Sequence, residues 1–293
     1  MQRTASNRHF PLYNDFNSGF SVRHQRYREP SAGAAYLLGL KGKIMKLIVS
    51  TFLTATLMST SAMAFEFTGG SLVLIERGVD YKGSSPSDWE NYGQTEAQGT
   101  IAYSFGNGLG GQAGFSLGTY EGDDNYKNFD LHLTYAVDPN VTIGAFIGSE
   151  SYDFDRDVGI SEYSLFGAEI AYTKNALSVQ TAFVADKNTN DYQYSYKALV
   201  IDAVYGLTEQ VSLTGGVHLL KETRYDEDGS TLQYAYIGAT YAVAPMIDLG
   251  ISYGELNDVD YYSQSNVALS LTYKFRSGAI FQQRAFNSVM PGL

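Results

Sequence analysis

The chain is 293 residues long, contains no cysteine and carries a formal net charge of −11. Without cysteine there is no disulfide framework and no thiolate to act as ligand or nucleophile. Residues 1–64 hold eight Lys/Arg against two Asp/Glu, whereas residues 65–293 hold twelve against twenty-nine. A segment so acidic lacks the basic footprint that nucleic-acid binding requires, so no nucleic-acid partner is expected.

In chain order, residues 1–44 come first. They are polar and basic, show no steady hydrophobic period, and are read as a non-native or disordered leader absent from the mature protein. Met45 then opens a second segment. Lys41, Lys43 and Lys46 give a positive start, a short apolar stretch runs from Leu47 to Met58, and Ala62-Met63-Ala64 supplies a small-x-small ending. These are the three parts of a secretory signal peptide, so residues 45–64 are read as a signal cleaved after Ala64. The apolar stretch is diluted by Ser and Thr and falls short of the ~20 residues of a spanning helix.

Beyond Ala64 no segment holds a 3.6-residue period. Alternation with period two recurs instead, in runs of about ten residues divided by turn residues, as transmembrane barrel strands require. Runs are read near 66–77, 92–106, 111–121, 126–137, 140–150, 161–174, 176–186, 192–206, 210–221, 231–243, 246–254 and 264–275. In the last, Val267, Leu269, Leu271, Tyr273 and Phe275 form one face and Ala268, Ser270, Thr272 and Lys274 the other. A soluble sandwich also alternates, but its polar face is usually charged and long-chained. Here that face is mainly Gly, Ser, Thr and Ala, which suits a confined lumen. The expected fold is all-β: one up-and-down antiparallel transmembrane β-barrel of about twelve strands over 65–275, with a tail over 276–293.

The connections alternate in character. One set is tight, at Gly106-Asn107-Gly108-Leu109-Gly110, Asp138-Pro139-Asn140, Lys174-Asn175, Gly206 to Glu209 and Ala244-Pro245. These carry the Gly, Pro and Asn chemistry of short turns. The other set is longer and acidic, at 78–91, 121–126, 149–161, 186–192, 222–231 and 254–264. Aromatics cluster at both strand ends. Tyr103, Phe105, Tyr135, Tyr172, Tyr205, Tyr241, Tyr273 and Phe275 lie by the tight turns. Tyr120, Tyr126, Tyr152, Tyr163, Tyr192, Tyr194, Tyr225, Tyr261 and Tyr262 lie by the long loops. Two belts of rings at the two membrane interfaces are expected.

The signal ending Ala62-Met63-Ala64, the strand pattern and the last strand together resemble the Gram-negative porin-like outer-membrane proteins, over Met45 to Phe275. The resemblance implies residence in a bacterial outer membrane, among lipid and lipopolysaccharide. It also implies that Leu269, Leu271, Tyr273 and Phe275 form the closing signal read by the barrel-assembly machinery. The family usually ends at that aromatic, whereas this chain continues from Arg276 to Leu293. General porins have more strands and a long inward constriction loop. No loop here has that length, which argues against a wide diffusion pore. Association into a homo-oligomer stays open.

With the apolar face outward, Glu96, Gln98, Asp130, His132, Glu169, Asp202, His218, Asp248 and Lys274 become the expected pore-lining residues, with Glu66 beside them. Gly144, Gly167, Gly216, Gly238 and Gly250 are expected to keep the lumen open. Carboxylate rings favour cations, so the expected activity is passive diffusion of small hydrophilic solutes or ions through a narrow cation-preferring pore. A closed lumen glued by Lys274 and a carboxylate is the plainer reading.

Two rivals complete the reading. An enzyme needs a nucleophile and a base within reach. Beyond Ala64 only His132 and His218 are histidines, and no Gly-x-Ser-x-Gly elbow occurs, so no catalytic residue, cofactor or metal is assigned. The other rival is a structural or adhesive barrel that works through its acidic loops. Asp153, Asp155 and Asp157 have calcium-loop spacing, but Val158 and Ser164 stand where that loop wants Gly and Glu. Solvated loops, or divalent cations bridging to lipopolysaccharide phosphates, are the alternatives there.

Overall fold

A computed structural model describes residues 66–83, 89–120, 125–154, 159–188, 194–224, 227–258, 263–276 and 280–284. The leader and signal readings fall outside the described residues. Twelve strands follow one another: β1 Glu66–Lys82, β2 Trp89–Gly106, β3 Leu109–Tyr120, β4 Asn125–Ala136, β5 Val141–Phe154, β6 Gly159–Lys174, β7 Leu177–Asn188, β8 Tyr194–Gly206, β9 Val211–Arg224, β10 Glu227–Ala244, β11 Ile247–Asp258 and β12 Ser263–Arg276. Each pairs antiparallel with its sequence neighbours, and β1 pairs with β12, so the sheet closes on itself. Closure leaves no unpaired edge, which a lipid environment requires of a sheet.

The tight turns follow from their residues. Asn107 and Gly108 both have positive φ, at 53° and 80°, the primed-turn geometry that matches strand twist. In the β4–β5 turn the Asp138 side chain accepts from the Asn140 and Val141 amides at 2.6 and 3.0 Å. In the β8–β9 turn Thr208 does the same for Gln210 and Val211 at 3.2 and 2.9 Å. A short polar side chain thus satisfies amides that the ladder leaves free.

The period-two pattern sorts the side chains. Ile237 and Ile147 lie outward with 64% and 63% exposure, and Leu133, Leu269, Ile251 and Leu74 share that face. An apolar band of this extent marks a surface that meets lipid. Tyr135, Tyr172, Tyr205, Tyr241 and Tyr273 are also exposed. They form the girdle expected beside the tight turns.

The long-loop end differs from expectation in two ways. First, β1, β2, β5, β9, β10 and β11 run three to five residues further than the alternation predicts, because their ladders continue beyond the apolar band. Glu227 pairs with Arg224, so only residues 225–226 separate strands where 222–231 was read as loop. Second, of the tyrosines expected in an outer belt there, Tyr126 and Tyr152 are buried inside the barrel, and Tyr196 lies buried beside them. Strand parity is the reason, since Tyr126 shares its face with Asp130 and His132. Tyr192, Tyr225, Tyr261 and Tyr262 lie outside the described residues, as does the side chain of Tyr194.

Candidate functional site

The barrel interior is packed. Phe146, Leu165, Val184, Val200, Leu220, Leu232 and Leu256 belong to one buried apolar cluster. The expectation of a uniformly small or polar inner face is therefore corrected for β5 to β11. Segments such as Ala198-Leu199-Val200-Ile201 are apolar on both faces, and alternation does not separate them.

The glycines do not hold space open. Those expected to do so, Gly144, Gly167, Gly216, Gly238 and Gly250, each make room for a neighbour's atoms. Gly118 lies opposite Tyr126, Gly167 opposite Phe146 and Gly216 opposite Tyr236. In each pair an added Cβ would enter the facing ring. At Gly144 an added Cβ would lie 3.0 Å from Glu169 and from Phe281; at Gly238 it would meet Ser252, and at Gly250 the side chain of Ser270.

Glu96, Asp130, His132, Glu169, Asp202 and His218 all lie on the inward face and are buried. Strand pairing brings them into separate groups. Gln98 donates to Glu96 at 2.8 Å in one. In another, His132 sits between Glu169 and Asp130, with ring nitrogens 2.5 and 3.1 Å from the two carboxylates. In a third, Asp202 is held by His218 at 2.8 Å and by the Tyr236 hydroxyl at 2.9 Å. Asp248 and Lys274 stand apart at the tight-turn mouth, 2.8 Å from each other and partly exposed. Glu66 is exposed at the start of β1.

The tail joins two of these groups. Residues 280–284 pass through the lumen, and Phe281, Gln283 and Arg284 are buried there. Arg284 donates from Nε to Glu169 at 3.1 Å, and its Nη1 lies 3.8 Å from Asp202. Its backbone amide donates to Asp130 at 3.1 Å. Three buried carboxylates without a counter-cation would each cost several kcal/mol; the tail supplies that cation. The Phe281 ring stacks on His132, with centroids 6.2 Å apart and planes 5° apart. Gln283 donates to Asn128 at 2.6 Å.

Toward the long-loop end the inner wall carries a run of tyrosines. Tyr92, Tyr120, Tyr126, Tyr152, Tyr163 and Tyr196 follow one another with ring centroids 5.6–6.4 Å apart. Tyr152 donates to Glu150 at 2.7 Å, and Gln94 reaches both Tyr126 and Arg77. Arg77, Gln94 and Glu150 are inward residues that sequence reasoning missed. Glu150 was legible, since it shares parity with Gly144. Arg77 was not, because β1 bulges between Phe67 and Gly69, which breaks the parity count. Among the described residues no three His, Asp or Glu side chains converge as metal ligands do.

No protein-family model matches the chain, and no curated protein matches its sequence. Solved structures do resemble it. The COG4313 outer-membrane channel of Pseudomonas putida F1 is 12% identical at a TM-score of 0.52, over 74% of this chain and 98% of that one. The NanC porin is 12% identical at 0.49, over 67% and 98%. The translocator domain of the autotransporter NalP from Neisseria meningitidis is 11% identical at 0.46, over 82% and 96%. The likeness is one of fold. The chain is thus a closed antiparallel β-barrel with an apolar outer band, the build of a barrel that spans a membrane.

Proposed function

We propose that this protein is a narrow, cation-preferring channel for small hydrophilic solutes or ions, non-enzymatic, with its selectivity set by Asp130, Glu169 and Asp202. One observation carries the reading: at the level of these carboxylates the lumen is filled by residues 280–284 and not by the wall alone. A segment that belongs to no strand can leave, and what it vacates is an enclosure lined by carboxylates, which attracts cations. His132 and His218 are each engaged by these carboxylates and so belong to that lining. Arg284 in place stands for the closed state.

The test is the reversal potential of the purified protein in a planar bilayer across a potassium chloride gradient. A potential on the cation side is expected. The triple variant Asp130→Asn, Glu169→Gln, Asp202→Asn is expected to move it toward zero. An anion-side potential, or one that the triple variant leaves unchanged, contradicts the reading. A second reading is favoured by the apolar cluster around Leu165, Val184 and Leu220. A lumen so packed also suits a closed structural or adhesive barrel that works through its acidic loops. We further read Leu269, Leu271, Tyr273 and Phe275 as the strand face that the assembly machinery recognises. The first three are exposed on the outer surface, and an assembly defect in Phe275→Ala cells would support that role.

A further inference from the structure

The tail is held as a peptide ligand is held. Gln112 exchanges both bonds with Phe281: its Nε2 donates to the Phe281 carbonyl at 2.6 Å, and its Oε1 accepts from the Phe281 amide at 3.1 Å. Gln180 takes the opposite edge, donating to the Ile280 carbonyl at 2.7 Å and accepting from the Gln282 amide at 3.2 Å. Two carboxamides, each with one donor side and one acceptor side, thus clamp a backbone in the manner of added strands. Such bonds grip backbone atoms whatever the sequence, and side-chain pockets then choose the side chains.

Two pockets do so here. One is the face of His132 beside Gly144, where the Phe281 ring lies. The other is the acidic group around Glu169 and Asp202, where the guanidinium lies. The fit is incomplete: Arg284 Nη2 and Asp202 Oδ2 are buried and have no hydrogen-bond partner. An occupant that leaves a donor and an acceptor unmatched can be displaced by one that matches them.

We propose that the lumen is a binding site for short peptides that carry an aromatic residue and, three positions later, an arginine, and that residues 280–284 fill it in cis. The proposal deepens the channel reading, on which it rests only for the route by which a peptide arrives.

The test is fluorescence anisotropy of a labelled peptide, Ile-Phe-Gln-Gln-Arg, added to full-length protein refolded in detergent micelles. In Arg284→Glu protein a fourth carboxylate faces the other three and the tail is driven out. Saturable binding is expected there. Binding to unaltered protein is expected to be at least about tenfold weaker, because a tethered competitor acts at an effective concentration on the order of millimolar. Adding Gln112→Ala and Gln180→Ala, or replacing the peptide's arginine with glutamate, is expected to abolish binding. If Arg284→Glu does not fold, judged by gel mobility before and after heating, Arg284→Gln gives the same readout. No saturable binding to a folded variant, or equal binding of the glutamate peptide, overturns the proposal. Peptide binding by a protein that passes no current keeps this site and overturns the channel. Current that no peptide blocks does the reverse.

Discussion

At the scale of the residue, glycine and aromatic side chains are matched across the strands. Gly167 illustrates the constraint, because its Cβ position is claimed by the Phe146 ring and by the Phe183 carbonyl. A side chain there must displace an inner ring that other rings hold in place. Gly167→Leu is expected to destabilise the barrel by about 1–3 kcal/mol, the usual cost of overpacking, read as a lower urea midpoint in micelles. The acidic lining was legible because parity alone puts Asp130, His132, Glu169 and Asp202 inward once Leu131, Leu133, Ile170 and Ile201 are sent outward. Arg284 was not legible. Nothing in Ile280 to Arg284 marks it as an interior segment, and its partners come from β3, β4, β6, β7 and β8, far away in sequence.

At the scale of the element, each strand is an amphipathic ribbon between lipid and lumen. Ile251 is 55% exposed in the middle of β11, so it reports on the lipid face. Ile251→Arg is expected to cost about 2–4 kcal/mol, the penalty for a cation near the bilayer midplane, again read from the urea midpoint. All twelve strands were readable from period two, with their tight-turn ends placed to within a few residues. The far ends of β1, β2, β5, β9, β10 and β11 were not, because a ladder that continues into water no longer needs an apolar face. In β9 and β10 the polar residues Lys221 to Arg224 still pair with Glu227 to Thr231. The inner tyrosine run was misjudged for a related reason. Height along the strand places those rings near an interface, but parity decides which side of the wall they occupy.

At the scale of the whole molecule, the barrel separates two environments and then fills the inner one in two layers. Tyrosines and aliphatic side chains occupy the long-loop half. Asp130, Glu169, Asp202, the two histidines and the returning tail occupy the tight-turn half, whereas Glu96 and Glu150 lie among the tyrosines. The second layer is the part that can change, since its central cation belongs to a segment outside the sheet. The most direct measurement is single-channel conductance of the full-length protein in a planar bilayer, compared with that of Arg284→Glu. Rare or small steps in the unaltered protein, and frequent larger cation-carrying steps in the variant, are the predicted result. Equal currents from the two proteins, or a folded and inserted variant that stays silent, would contradict the account of a channel closed by its own tail.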